Sequence, residues 1–471
     1  MTKSTGVSSS PSKKLIAAKQ AFGRSATDFP SLSAAEKKLI ACSAKGEGCI
    51  FGDGTRPNSE TAANRIRAEL IRFLVLGGDA NNPVHEEGVM LGGAWIAGEL
   101  SLHLITTSLR LALANCHFDS TPNLMKANLP ELFLGGSSLP GLMADGIAVT
   151  GSVFLRDGFA ATGEVRLIGA TVGTDLSCGN GSFTHTEGIA LNAQALKVKG
   201  TLFLRDATIN GSVDLTAAKI GTLVDDEECW ESGGHHLDGF HYDRIIGQTN
   251  AEMRIRWLKR QKASQLVRDF RPQPWEQLIK VLRDAGHADH AARIAIAKQE
   301  LMRKAPGQIT GRWRRGLHWA YGWFAGYGHR PLWTLAWMGG VWLLCSLLFL
   351  AGAHYNYIGP STPLLNSPTL APAIDKACGH AGQPGLQKWT ECSEVPAEYS
   401  TFQPFVYSLD LVLPLVDLQQ DSDWAPIVED PPGTDLLFGV ILRWAMWFEI
   451  LFGWVASLTL VAVLGRLVDK D

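Results

Sequence analysis

Between residues 84 and 224 one short phrase keeps returning. Leu91-Gly-Gly-Ala-Trp-Ile-Ala-Gly98-Glu-Leu-Ser-Leu102 is echoed by Leu202-Phe-Leu-Arg-Asp-Ala-Thr-Ile-Asn-Gly211-Ser-Val-Asp-Leu215, and again from Val213 to Leu223. Shortened copies run from Val165 to Gly173 and from Leu132 to Gly141, and VFLRD at 153–157 returns as LFLRD at 202–206. The phrase is L-x-L-x-x-A-x-I-x-G-x-L-x-L, with a period of about 10 to 12 residues. L-x-L places two side chains on one face of a short strand, and glycine permits a tight corner. One such unit cannot bury its apolar face alone, so successive units must stack. The pattern predicts a parallel β-helix or solenoid with a Leu/Ile/Val interior and glycine corners. A sandwich of short strands is the alternative. The Arg-Asp pairs at 156–157 and 205–206 are expected to form salt-bridge rows on its surface.

The flanks read as helical. Thr61 to Leu76 carries an apolar face at Ile66, Leu70, Phe73 and Leu74 and would cap the first end of the solenoid. Pro274–Ala285 and Ala288–Arg303 read as an antiparallel pair around Gly286, with Trp275, Leu278, Ile279 and Leu282 on the buried stripe of the first.

Composition then changes. Eleven of the 15 Trp lie after residue 305. Leu332–Ala353 is 22 residues without a charge, enough to cross a bilayer, which takes roughly 20. A second apolar run lies within Leu436–Leu464 and carries Arg443 and Glu449. Arg312, Arg314, Arg315 and Arg330 precede the first run, and Arg466 and Lys470 follow the second. The 82 residues between hold two lysines, Lys376 and Lys388, against eleven acidic residues. The charge bias predicts two spans, both termini cytoplasmic and the loop outside. No apolar stretch follows the basic start, so no cleavable signal peptide is expected. Residues 309–329 mix Arg with Trp, Tyr and Phe, as an interfacial helix would.

The expected architecture is a mixed β and α membrane protein. It comprises a disordered tail (1–30), a helical cap (31–83), the β-helix-like domain (84–224), a polar linker (225–248) and a helical hairpin (249–305). An interfacial helix (306–331), the first transmembrane helix (332–353), an extracytoplasmic loop (354–435), the second transmembrane helix (436–465) and a cytoplasmic tail (466–471) follow.

Chemistry is sparse. Cys378 and Cys392 are the only cysteines in the outer loop, where an oxidising compartment favours a disulfide. Phe402–Leu418 is too short to span and is broken by Pro404 and Pro414. It is a candidate re-entrant segment, in which Asp410 and Asp417 would form acidic rings in an oligomeric pore. Glu449 is an ionisable group inside a span and is expected to face protein. Arg443, six residues outward, is expected to snorkel to the headgroups. Gly326-Tyr327-Gly328 has the letters of a potassium filter but precedes the first span. Asp225 to Cys229, with His235, His236, Asp238 and His241, is rich in metal-ligand types but lacks paired short spacings. Cys42 and Cys49 lack a CxxC spacing. No P-loop, HExxH, strand-linked GxGxxG or GxSxG occurs. No catalytic, cofactor or metal residue is therefore assigned, and no cofactor is expected. The charge of −3 argues against a uniformly basic nucleic-acid binder.

At the repeat, FRPQPWEQL (270–278), GYGHRP (326–331) and YSLDLVLPLVDL (407–418), the chain resembles a bacterial family with pentapeptide-like repeats and two C-terminal spans. The resemblance runs from about residue 60 to the end. It implies a bacterial inner-membrane location, and some members carry the label membrane-associated oxidoreductase. Nothing catalytic is implied by these motifs. The leading expectation is a non-enzymatic anchored scaffold whose partners are membrane lipid and a protein on the solenoid or the helical hairpin. A homo-oligomeric ion channel is the second reading, and a redox enzyme, resting on the family label alone, the third.

Overall fold

The computed structural model of the chain describes residues 25–361, 377–378, 387–395, 399–428 and 437–468. Residues 1–24 of the expected tail, much of the expected outer loop and residues 469–471 lie outside the described residues. Two compact units divide at Thr310 and Gly311.

The first unit is a parallel β-solenoid of about seven turns with helices at its flanks. Leu111, Leu132, Val153, Leu176, Leu202 and Leu223 stack in register through successive turns. Each is 1% exposed or less. Paired residues such as Leu111 and Leu132 lie 21 apart in sequence, so the repeating phrase is half a turn. One turn strings four two-residue strands: Leu132–Phe133, Ser138–Leu139, Leu142–Met143 and Ala148–Val149. In later turns the strands lengthen to Ser182–Asn192 and Lys197–Phe203.

Glycine is not the rule at the corners. Asn115, Gly136, Asp157, Asn180 and Asp206 recur at one corner with φ between 45° and 70°. The left-handed conformation costs a typical L-residue about 1–2 kcal/mol, and Asn and Asp pay least after glycine. This explains the returning Arg-Asp pair: its aspartate is a corner residue. Among the described residues the Arg156–Asp157 and Arg205–Asp206 pairs form no row with each other. Arg156 pairs with its own neighbour Asp157 at 3.1 Å, while the Asp206 N–H donates to Asp226. Several glycines serve a different need. At Gly173 a Cβ would overlap the Thr150 carbonyl of the preceding turn.

Pairing runs past both ends of 84–224. Cys49–Ile50 pairs with Leu91–Gly92, and Arg65–Arg67 with Trp95–Ala97. At the other end His241–Ile246 pairs with Lys219–Val224, within the stretch expected to be a linker. Strands of two or three residues are too short to show alternation. The expected helix over 61–76 is correspondingly shorter. Its first part is a turn followed by the strand Arg65–Arg67, and helix α2 spans Ala68–Val75 after α1, Ala34–Lys45. Leu70, Ile71, Phe73, Leu74 and Val75 of α2 enter the core. Glu36 of α1 accepts two bonds from the Arg67 guanidinium, at 2.6 and 2.8 Å.

Helices α3 (Ala251–Lys259), α4 (Ala263–Val267), α5 (Gln273–Asp284) and α6 (Ala288–Lys304) follow the last turn. The expected hairpin is α5 and α6, joined through Gly286 at φ 82°. Trp275, Leu278, Ile279 and Leu282 are buried. Gln273 and Gln277, one helical turn apart, reach the open edge of the last strand. Gln273 accepts from the Gly239 N–H at 2.7 Å, and Gln277 donates to the Tyr242 carbonyl at 2.7 Å. Side-chain amides thus occupy an edge that would otherwise invite another strand.

The second unit holds α7 (Arg312–Ala325), α8 (Pro331–His354), α9 (Pro404–Val412), α10 (Gln420–Asp423) and α11 (Phe438–Val468). Two of these, α8 and α11, are long and apolar enough to cross a membrane. Gly326-Tyr327-Gly328 forms a tight turn between α7 and α8. Ile358–Pro360 and Trp424–Pro426 pair antiparallel. Phe349, Tyr407, Phe402, Trp424 and Leu442 form a shared core.

Candidate functional site

Each unit buries a polar constellation among its described residues. In the first, Asp225 accepts from both terminal nitrogens of Arg254, at 2.7 and 2.8 Å, and from the Trp230 indole at 2.8 Å. Both charged side chains are 0% exposed. Arg254 Nε donates to the Gln248 carbonyl, and the guanidinium lies 5.4 Å from the Trp257 ring. Beside them His235 is wholly buried. Its Nδ1 accepts the Val213 N–H at 3.1 Å, and Nε2 sits 3.0 Å from the Trp230 carbonyl. Those partners require the neutral tautomer protonated on Nε2.

This is the stretch rich in metal-ligand types, and its residues are already engaged. Glu227 binds Arg256 at 2.8 and 2.9 Å, and Asp238 binds Arg271 at 3.1 Å. His236 approaches Asp214 at 3.8 Å, and His241 Nδ1 lies 2.7 Å from the Gly239 carbonyl. The Cys229 thiol donates to the Asp226 carbonyl, and burial pushes it well above its ordinary pKa. The constellation closes the end of the solenoid.

Burial pushes the His235 pKa down from 6.5 to about 4. The unfolded chain therefore binds the proton first, and stability is lost as pH falls from about 6.5 towards 4. The window is worth on the order of 3 kcal/mol. Denaturation profiles at stepped pH should show this slope in the wild type and not in His235→Gln.

In the second unit, α9 is wedged against α8 and α11. Trp342 of α8 donates its indole N–H to the Phe405 carbonyl at 3.0 Å. Phe349 meets Tyr407 edge-on, with ring centroids 4.9 Å apart. On α11, Gly453 lets the backbone pass the Val412 carbonyl, where a Cβ would overlap it. Glu449 faces protein and is 0% exposed, with Oε1 2.5 Å from the Ser408 hydroxyl. Arg443 donates to the Pro426 carbonyl at 2.5 Å.

Asp410 accepts main-chain N–H bonds from Leu418 at 2.7 Å, Gln420 at 2.9 Å and Asp421 at 3.1 Å. It thereby caps the start of α10. Asp417 is exposed and accepts the Gln419 N–H. Carboxylate oxygens of Asp410, Asp417 and Asp421 lie within 4.8 Å of one another, the only such acidic, His or Cys group among the described residues. Desolvation first, and the Asp410 and Asp417 charges second, push Asp421 above its usual pKa. Since three backbone donors already hold Asp410, the group stands as the cap of a turn.

Cys378 and Cys392 form a disulfide with Cα atoms 5.8 Å apart. The remaining six cysteines are free. Cys42 and Cys49 bring their thiols together, a proximity their spacing does not show. Burial, and then Cys42, push Cys49 up to about 12, which leaves its thiol protonated and a poor nucleophile.

No family model, curated protein or solved structure matches the chain.

Proposed function

We propose that this chain is a non-enzymatic scaffold of the bacterial inner membrane, the location that its family resemblance implies. In this reading α8 and α11 cross the bilayer, both termini and the closed solenoid are cytoplasmic, and a protein partner binds the solenoid or its helical hairpin. One observation carries the anchoring. The most apolar windows of α8 and α11 are only 28% and 22% buried. Leu332, Leu344, Leu347, Leu437, Ile441, Leu451, Leu458 and Val461 are all exposed. A soluble chain rarely leaves so continuous an apolar surface in water. The 24 residues of α8 extend about 36 Å, against a hydrocarbon core of about 30 Å. Trp313, Trp319 and Trp323 on α7 are exposed as well, as suits a helix lying in the headgroup layer.

Alkaline carbonate washing of native membranes tests the anchor. The chain should remain in the pellet, and its release would overturn the reading. For the scaffold itself, crosslinking from solenoid surface positions should capture one defined protein. Recovery of lipid and general chaperones alone counts against a partner, and a symmetric tetramer or pentamer in mild detergent would favour the pore.

A further inference from the structure

Ser408 stands between two acceptors. Its hydroxyl oxygen lies 3.0 Å from the main-chain carbonyl of Trp342 on α8 and 2.5 Å from Oε1 of Glu449 on α11. A serine hydroxyl carries one hydrogen, and a carbonyl carries none. With the serine hydrogen on the Trp342 carbonyl, the hydrogen between Ser408 and Glu449 must come from Glu449. Ser408 and Glu449 are both 0% exposed. The second carboxyl oxygen, Oε2, has no hydrogen-bond partner, so a carboxylate here would be a buried charge facing only weak neutral donors, the Ser408 hydroxyl and the Cys345 thiol. No cation pairs with Glu449 among the described residues. From α8 come the Cys345 thiol, a weak donor, and the Ser346 hydroxyl. From α9 come Tyr407 and Asp410, from α10 Asp421, and from α11 itself Arg443. Arg443 is bound to the Pro426 carbonyl, and Asp410 to three main-chain donors. The Tyr407 and Ser346 hydroxyls, like Oε2, are buried without partners.

We propose that Glu449 is a proton-binding site and that its proton clamps α9 between α8 and α11. With the proton in place, the relay runs from the Glu449 acid to Ser408 and from Ser408 to the Trp342 carbonyl. When the proton leaves, Ser408 has one hydrogen for two acceptors. Turning it to the carboxylate releases the carbonyl, and the tie between α8 and α9 is lost. Water can then reach the carboxylate and the idle hydroxyls of Tyr407 and Ser346. The inference goes beyond the anchoring proposal and rests on burial inside this helix cluster, so it can fail while the anchoring stands.

Hydrogen exchange of the full chain in mild detergent, followed over residues 404–412 from neutral to alkaline pH, tests it. Opening that releases one proton should become about tenfold more frequent per pH unit, after correction for the chemical exchange rate. Glu449→Gln places an amide N–H where the acid proton was. It should keep α9 protected and abolish the pH dependence. Glu449→Ala should lose protection at every pH. Infrared difference spectra between wild type and Glu449→Gln should show a protonated carboxyl band at neutral pH. Protection in the wild type that is independent of pH, or the absence of that band, would overturn the proposal.

Discussion

Replacing Arg254 with Ala should cost about 3–5 kcal/mol, the penalty for leaving one member of a buried ion pair without its partner. Asp225 would keep only the Trp230 indole as donor, in a site with no access to water. The loss should be local in a repeat fold, because each turn contacts its neighbours and little else. Exchange protection should fall over His241–Ile246 and α3, and hold over the ladder around Leu132. Fluorescence of the buried Trp230 and Trp257 provides a second readout. Removing the charge from both partners with apolar residues should recover part of the loss, since the desolvation cost disappears along with the attraction. An Arg254→Ala protein within about 1 kcal/mol of wild type would show that the pair is dispensable.

That pair also marks where sequence reading stops. The interior ladder is legible because L-x-L is a local signal, and Leu132, Val153 and Leu202 repeat it over the short span in which one strand forms. Two phrases make one turn, which a phrase count alone does not reveal. The returning Arg-Asp looks like charge chemistry, yet Asp157 and Asp206 are there for their backbone. Asp225 and His235 sit in a stretch whose composition reads as solvent-exposed. Their burial depends on Arg254, 29 residues from Asp225, and on the Val213 N–H of the preceding turn. Glu449 is conspicuous as a charge in an apolar run, and its position facing protein follows from the cost of the alternative. Its partner Ser408, 41 residues away, is one hydroxyl among many. Asp410 was visible as an acid, but its work as a cap depends on how residues 413–419 turn back towards it.

The anchoring reading makes its largest prediction on the outward face of α8. Leu344 and Leu347 are three residues apart, on one side of the helix near its centre, and are 60% and 50% exposed. Arginine at both should disfavour insertion by about 5–7 kcal/mol, at roughly 2.5–3.5 each near a helix centre. The doubly substituted chain should fail carbonate-resistant integration and collect in the soluble or aggregated fraction. A soluble protein would respond in the opposite way. Two new charges on an exposed apolar face would improve its solubility and leave its stability within about 0.5 kcal/mol. Cys345 and Phe349 serve as the control face, because they point into the cluster with α9. Phe349→Ala should cost about 3–5 kcal/mol through the cavity it leaves, while the chain remains in the membrane. A Leu344→Arg, Leu347→Arg protein that still integrates would remove α8 as a span, leaving its exposed leucines to a protein partner.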